Sequence, residues 1–212
     1  MAKLWGGRFS RDKMDPEVLK FTSSLAVDRI LARYDCLSSM AHVEMLAKCG
    51  YVTESEKKSL VSVLEELMSE IGSGTFASEG YEDIHSAVQD YVNRKCPLES
   101  GKLHTARSRN EQVVNAVRLY CKDMSGQILC GITNLEKALI ELADKHRDVI
   151  IPGYTHLNRA QPVLFPHLLL SYAEMLERDA GRVEDAVKRM DISVMGSGAI
   201  AGSSLKLDRK FI

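Results

Sequence analysis

Between Asn110 and His146 the apolar residues Val113, Val117, Tyr120, Met124, Ile128, Leu135, Leu139 and Leu142 return at multiples of three and four positions. That is the period of an α-helix. At 1.5 Å per residue such a helix would be about 55 Å long. An element longer than a small domain is wide cannot be covered by one compact core, so other long helices must lie beside it. Gly126 and Gly131 fall inside the run, each costing about 1 kcal/mol relative to Ala; they either break the helix or admit a close neighbour. The apolar positions do not share one stripe, which fits burial on more than one side and predicts self-association.

The remaining chain reads in the same way. One helix is expected over 28–48, with Ile30, Leu31, Tyr34, Leu37, Ala41, Met45 and Leu46 as its apolar face and Gly50 as its stop. Thr53 with Glu56 three residues later has the form of a capping box, opening a helix whose stripe is Leu60, Val61, Leu64, Leu67 and Ile71. A third helix runs over about 82–95 and is closed by Pro97, and a last one over about 165–190. The segments CPLESGKLHTARS (96–108), IPGYTHLNRAQP (151–162) and MGSGAIAGSS (195–204) read as loops. No strand, hairpin signal, repeat or low-complexity tract is found. The fold class is therefore all-α: an N-terminal helical domain over 1–106, then over 107–212 the first part of a long-helix bundle.

Charge and cysteine usage narrow the function classes. With 45% hydrophobic residues and a net charge of -1 over 212 residues, the chain is not a general nucleic-acid or membrane-surface binder, which would concentrate a basic excess. Cysteines 36, 49, 96, 121 and 130 form no CxxC pair, and an odd number without an apolar leader points to free thiols and a cytoplasmic protein. No run approaches the roughly 18 apolar residues of a membrane span. The six histidines show no metal-ligand spacing. GSGAIAG has the wrong glycine spacing, and no strand precedes it, for a dinucleotide site. No cofactor is expected.

Three polar clusters stand at helix ends or in loops: Glu82 to His85, the group Ser108-Arg109-Asn110, and Thr155-His156 with Asn158 and Gln161. Together they offer cationic, neutral and imidazole donors, which suits a substrate with several carboxylates. An elimination on such a substrate needs a base for the proton beside a carboxylate. It also needs donors for the charge that builds as that carboxylate becomes an enediolate, and an acid for the leaving atom. Each cluster also has a purely structural reading. Ser108 with Glu111 can be the capping box of the long helix, Arg107 and Arg109 can be solvated charges, and His85 can be a satisfied helix histidine. Thr155 and His156 serve no packing need in a loop bounded by Pro and Gly.

The stretches KLWGGRF (3–9), FTSSLAVD (21–28), EDIH (82–85), TARSRNEQV (105–113), YTHLNRAQPV (154–163) and MGSGAIAGSS (195–204) give the chain a resemblance to the N-terminal part of the argininosuccinate lyases. These belong to the fumarase/aspartase superfamily, which includes the δ-crystallins. The resemblance implies cofactor-free cleavage of argininosuccinate to arginine and fumarate, in arginine biosynthesis, by a homotetramer. In that reading Ser108, Arg109, Asn110 and Thr155 bind the succinate-derived carboxylates and His156 is the catalytic histidine. His85 lies in the site, Ser24 contacts the arginine-derived end, and Asp83 is an orienting neighbour. Glu111 and Asn158 stand where the family usually has Asp and Gln. The sequence reaches Ile212 before the family's third signature, so the chain alone is expected to be inactive and prone to associate. The alternatives are a non-catalytic, δ-crystallin-like structural protein and another fumarate-releasing lyase.

Overall fold

The computed structural model describes residues 16–212; the KLWGGRF stretch lies outside them. Seven α-helices are assigned among the described residues: α1 (Pro16–Thr22), α2 (Leu25–Asp28), α3 (Ala32–Lys48), α4 (Glu54–Ser73), α5 (Ile84–Lys95), α6 (Arg109–Lys145) and α7 (Phe165–Met190). Short 3₁₀ turns, Arg29–Leu31 and Ser100–His104, stand before α3 and before α6. Two strands, β1 (Ile150–Thr155) and β2 (Asn158–Leu164), form an antiparallel hairpin between α6 and α7. By compactness the described residues fall into two units. One holds the chain up to Tyr120 together with Ser193–Ile212, the other Cys121–Ile192. That division cuts α6, whereas the 106/107 boundary read from sequence falls in the loop before it.

In the first unit α3, α4 and α5 enclose the core. Met45, Leu46, Leu60, Leu64, Leu67, Ile84, Val88 and Leu103 are almost fully buried. α4 begins as its sequence requires: Thr53 Oγ1 accepts from the Glu56 N–H while Glu56 Oε2 accepts from the Thr53 N–H. Of the apolar face expected here, Leu31, Tyr34, Met45 and Leu46 are buried, whereas Ile30, Leu37 and Ala41 are exposed. In their place Asp35, Ser38, Ser39 and His42 are buried. These four lie at helical spacing, so α3 faces inward with a polar stripe.

The second unit contains the rest of α6, the hairpin and α7. The long helix is unbroken over its 37 residues. A Cβ at Gly126 or Gly131 would meet nothing within 4 Å, so neither glycine serves a close approach here. The hairpin corrects the reading of 151–162 as a loop. His156 and Leu157 carry no turn signature, and two prolines and a glycine break the alternation by which a strand is recognised. Gly153 is required at the register shift between Pro152 and Tyr154: a Cβ there would stand 2.8 Å from the Gln161 carbonyl oxygen. Ala143 and Leu169 are buried in this unit, whereas Ile128, Leu135, Ile140, Leu170 and Tyr172 are about half exposed. The exposed apolar surface expected of the long helices is therefore present.

Candidate functional site

The Ser108-Arg109-Asn110 turn is the N-terminus of α6, held from three directions. Ser108 caps the helix, its Oγ accepting from the Asn110 N–H at 3.2 Å. Glu111 returns to the cap, its Oε1 accepting from the Ser108 N–H at 2.8 Å. The structural reading of this pair is thus realised. The turn is also tied to α3: Gln112 Nε2 donates to both carboxylate oxygens of Asp35 at 2.8 and 2.9 Å. Asn115 Nδ2 donates to Ser38 Oγ at 2.9 Å, and Arg107 Nη1 to Ser39 Oγ at 2.9 Å. Arg107 is buried rather than solvated, and burial pushes its guanidinium down to about 10. Arg109 is half-buried and reaches Gln112 Oε1 at 3.4 Å, while Asn110 is exposed.

Asp35 is the hub beneath this turn and has no exposed surface. Besides Gln112 it accepts from His85 Nδ1 at 2.9 Å and from Ser39 Oγ at 3.2 Å. Burial pushes its carboxyl up, but the hydrogen bond and charge of His85, with Arg107 and Gln112, outweigh that and hold it below the ordinary value. His85 is 1% exposed, and its ring sits in the core against Asp35. The expected orienting neighbour, Asp83, caps α5 instead, accepting from the Ser86 N–H and hydroxyl at 2.6 Å. Ser24 is brought to the same corner as His85. Its N–H donates to the Glu82 carbonyl at 3.0 Å and its hydroxyl to Asp28 Oδ2 at 2.6 Å, while Asp28 Oδ1 accepts from the Ile84 N–H. Sequence reasoning missed Asp35, Ser39 and Gln112. The signal was the polar residues 35, 38, 39 and 42 recurring on a helix that was read only for its apolar stripe.

A glycine-containing loop meets the turn within the same unit. Gly196, Gly198 and Gly202 all have positive φ, and Gly198 has no room for a side chain, since a Cβ would stand 2.7 Å from the Gly202 carbonyl oxygen. The Gly198 N–H donates to Glu111 Oε2 at 2.9 Å. Between this loop and residues 104–108 lies a pocket of about 250 Å³ lined by His104, Ala106, Arg107, Ser108, Gly198, Ala199, Gly202 and Ser203.

Two histidines near the turn are held neutral. Burial, with the Arg107 charge, pushes His42 down to about 4 despite its bond to the Thr105 carbonyl. Burial, with the charges of Arg107 and Arg109, brings His104 to about 4 as well. Because both folded values lie below the unfolded 6.5, the unfolded chain takes up protons first as the pH falls. Stability is therefore lost between pH 6.5 and 4, on the order of 3 kcal/mol for a fully shifted histidine. The urea midpoint should fall steadily over that range, and His42→Gln, which keeps a donor for Thr105, should flatten the fall. The stability that Asp35 contributes is present throughout this window and is lost only below it, as the unfolded carboxyl, with its ordinary value of 3.8, takes up a proton before the folded one does.

In the second unit Thr155 and His156 are exposed at the tip of the hairpin. Thr155 pairs with Asn158 in the ladder, so His156 and Leu157 form a two-residue turn. Their φ values are 49° and 64°, the left-handed conformation of a type I′ turn. For a residue as bulky as Leu this is a strained choice. With Ala106, φ 55°, these are the non-glycine residues of positive φ among those described. All three lie in the TARSRN and YTHLN stretches.

The sequence profile of a family described as Lyase matches residues 7–212, and the chain belongs to that family. It is 44% identical over 208 residues to the chloroplastic argininosuccinate lyase of Arabidopsis thaliana, covering 98% of this chain and 40% of that protein. It is also 44% identical over 214 residues to the argininosuccinate lyase of Bacillus velezensis, covering 100% and 46%. The chain thus spans less than half the length of these relatives. Among solved structures, an EDDS lyase in complex with formate superposes with a TM-score of 0.75 at 23% identity, over 94% of this chain and 40% of that one. A fumarate lyase:delta crystallin from Brucella melitensis superposes at 0.63 and 17% identity, over 80% and 44%. The described residues therefore share the fold of these two lyase structures.

Proposed function

We propose that this chain forms part of an argininosuccinate-cleaving enzyme of arginine biosynthesis, a carbon–nitrogen lyase. The observation that carries the reading is the placement of strain. Ala106, His156 and Leu157 hold left-handed backbone within the two stretches that present Ser108, Arg109, Asn110, Thr155 and His156, and such strain persists where the surroundings enforce it, commonly at sites. In the reaction a base takes the proton from the carbon beside one carboxylate of the succinyl group. The electron pair forms the carbon–carbon double bond as the carbon–nitrogen bond breaks. Nitrogen leaves with its electrons, takes a proton and departs as arginine, and fumarate remains.

The residues divide that work. Arg109 pairs with a substrate carboxylate, the Ser108 hydroxyl and the Asn110 amide hold its oxygens as charge accumulates, Thr155 serves as a further carboxylate-binding residue, and His156 handles the proton. Ser24 contacts the arginine-derived end. His85, buried against Asp35, belongs beneath the site as a positioning residue. The substrate is a small molecule, and nucleic acid and membrane are not partners. Among the described residues no helix is long and apolar enough to cross a membrane, and we place the protein in the cytoplasm. The exposed apolar faces of α6 and α7 support assembly, as a homotetramer.

Arg109→Lys tests the carboxylate contact. Lysine keeps the charge but loses the planar fork, so in the protein purified from its native source KM for argininosuccinate should rise about 10- to 100-fold with a smaller change in kcat. An unchanged KM would remove Arg109 from the substrate. Absence of turnover in the unmodified protein would favour the alternative of a non-catalytic bundle.

A further inference from the structure

Glu111 joins two pieces of chain far apart in sequence, with both carboxylate oxygens in use. Oε1 accepts from the Ser108 N–H at 2.8 Å and Oε2 from the Gly198 N–H at 2.9 Å. The side chain is 4% exposed, so little water competes for either bond, and hydrogen bonds to a charged acceptor are the stronger kind. The two amides it holds belong to residues that both line the 250 Å³ pocket, Ser108 from the start of α6 and Gly198 from the loop. Gly198 packs against Gly202, and the Gly202 N–H donates to the Ser197 carbonyl at 2.6 Å, which closes the loop on itself. Where its Gly198 N–H is held, the wall formed by Ala199, Gly202 and Ser203 is held too.

We infer that Glu111 is a positioning residue: it clamps the 196–202 loop to the cap of α6 and so sets the width of the pocket in which Ser108 meets a substrate carboxylate. The last step rests on the carboxylate-binding reading of Ser108 above; the clamp itself does not. A cap alone needs one oxygen. The second bond spans 87 positions and adds nothing to the helix, which is what separates a clamp from ordinary capping.

Glu111→Gln distinguishes the two functions in the 212-residue chain. Gln is an accepted partner in a capping box, so its oxygen stays on the Ser108 N–H. Its amide then faces the Gly198 N–H donor to donor. Hydrogen exchange at Gly198 should quicken about tenfold or more, with Ser108 exchange nearly unchanged. Glu111→Asp, which retains two acceptor oxygens, should restore part of the protection. Fumarate, titrated while amide shifts are followed, should shift both Ser108 and Gly198 in the unmodified chain and bind about tenfold more weakly in Glu111→Gln. Unchanged exchange at Gly198 would overturn the clamp, and unchanged fumarate affinity despite quickened exchange would overturn its role in the pocket. If the unmodified chain binds no fumarate, the carboxylate reading of Ser108 falls together with the pocket role assigned to Glu111, while the exchange data still decide the clamp.

Discussion

The Asp35→Ala chain is expected to lose about 3–5 kcal/mol of stability, the loss seen when one partner of a buried charged group is removed. Asp35 is 0% exposed and accepts hydrogen bonds from His85, Ser39 and, through both oxygens, Gln112. Its negative charge also balances Arg107, whose Nε and Nη2 have no hydrogen-bond partner among the described residues. Removing the carboxylate leaves a buried cation uncompensated and several donors without acceptors. Domains have only about 5–15 kcal/mol in total, so the loss takes a large share of the stability and the urea midpoint should fall accordingly. Glu79→Ala, which removes only the exposed ion pair with Arg29, should cost at most about 1 kcal/mol. Urea denaturation of both variants checks the contrast, and an Asp35→Ala chain as stable as the parent would contradict the hub.

Replacing His156 by Asn should lower turnover of argininosuccinate by about 10²- to 10⁴-fold, the usual contribution of a positioned acid–base group. Asn suits the test because the backbone here has φ 49°, and Asn adopts the left-handed region more readily than other non-glycine residues. The turn should persist and the circular dichroism stay that of the parent. A loss of rate then reports on the imidazole alone. The measurement is kcat in the protein as its native source makes it, and a folded variant with full activity would remove His156 from the chemistry.

Much of this architecture can be read from periodicity and caps. Thr53 and Glu56 mark the start of α4, and Ser108 and Glu111 that of α6, because a capping box depends only on residues three apart. Glycines 126 and 131 left α6 in doubt, since their local cost is visible in sequence and the helix's many favourable residues outweigh it. The hairpin was hidden for the opposite reason: its turn rests on His156 and Leu157, residues that rarely accept left-handed backbone. The polar core was hidden because Asp35 and its partners Gln112, His85 and Arg107 lie on different elements. No spacing rule reports a buried charge whose neighbours lie 50 to 77 positions away. Glu111 shows both limits at once: its bond to Ser108 is legible, its bond to Gly198 is not.

The most direct measurement is to purify the protein from its native source, determine its mass, and follow fumarate release from argininosuccinate. The proposed reaction predicts fumarate and arginine in equal amounts, with no cofactor added. A folded protein that leaves argininosuccinate intact would contradict it and leave the helices and the polar hub as architecture without this chemistry.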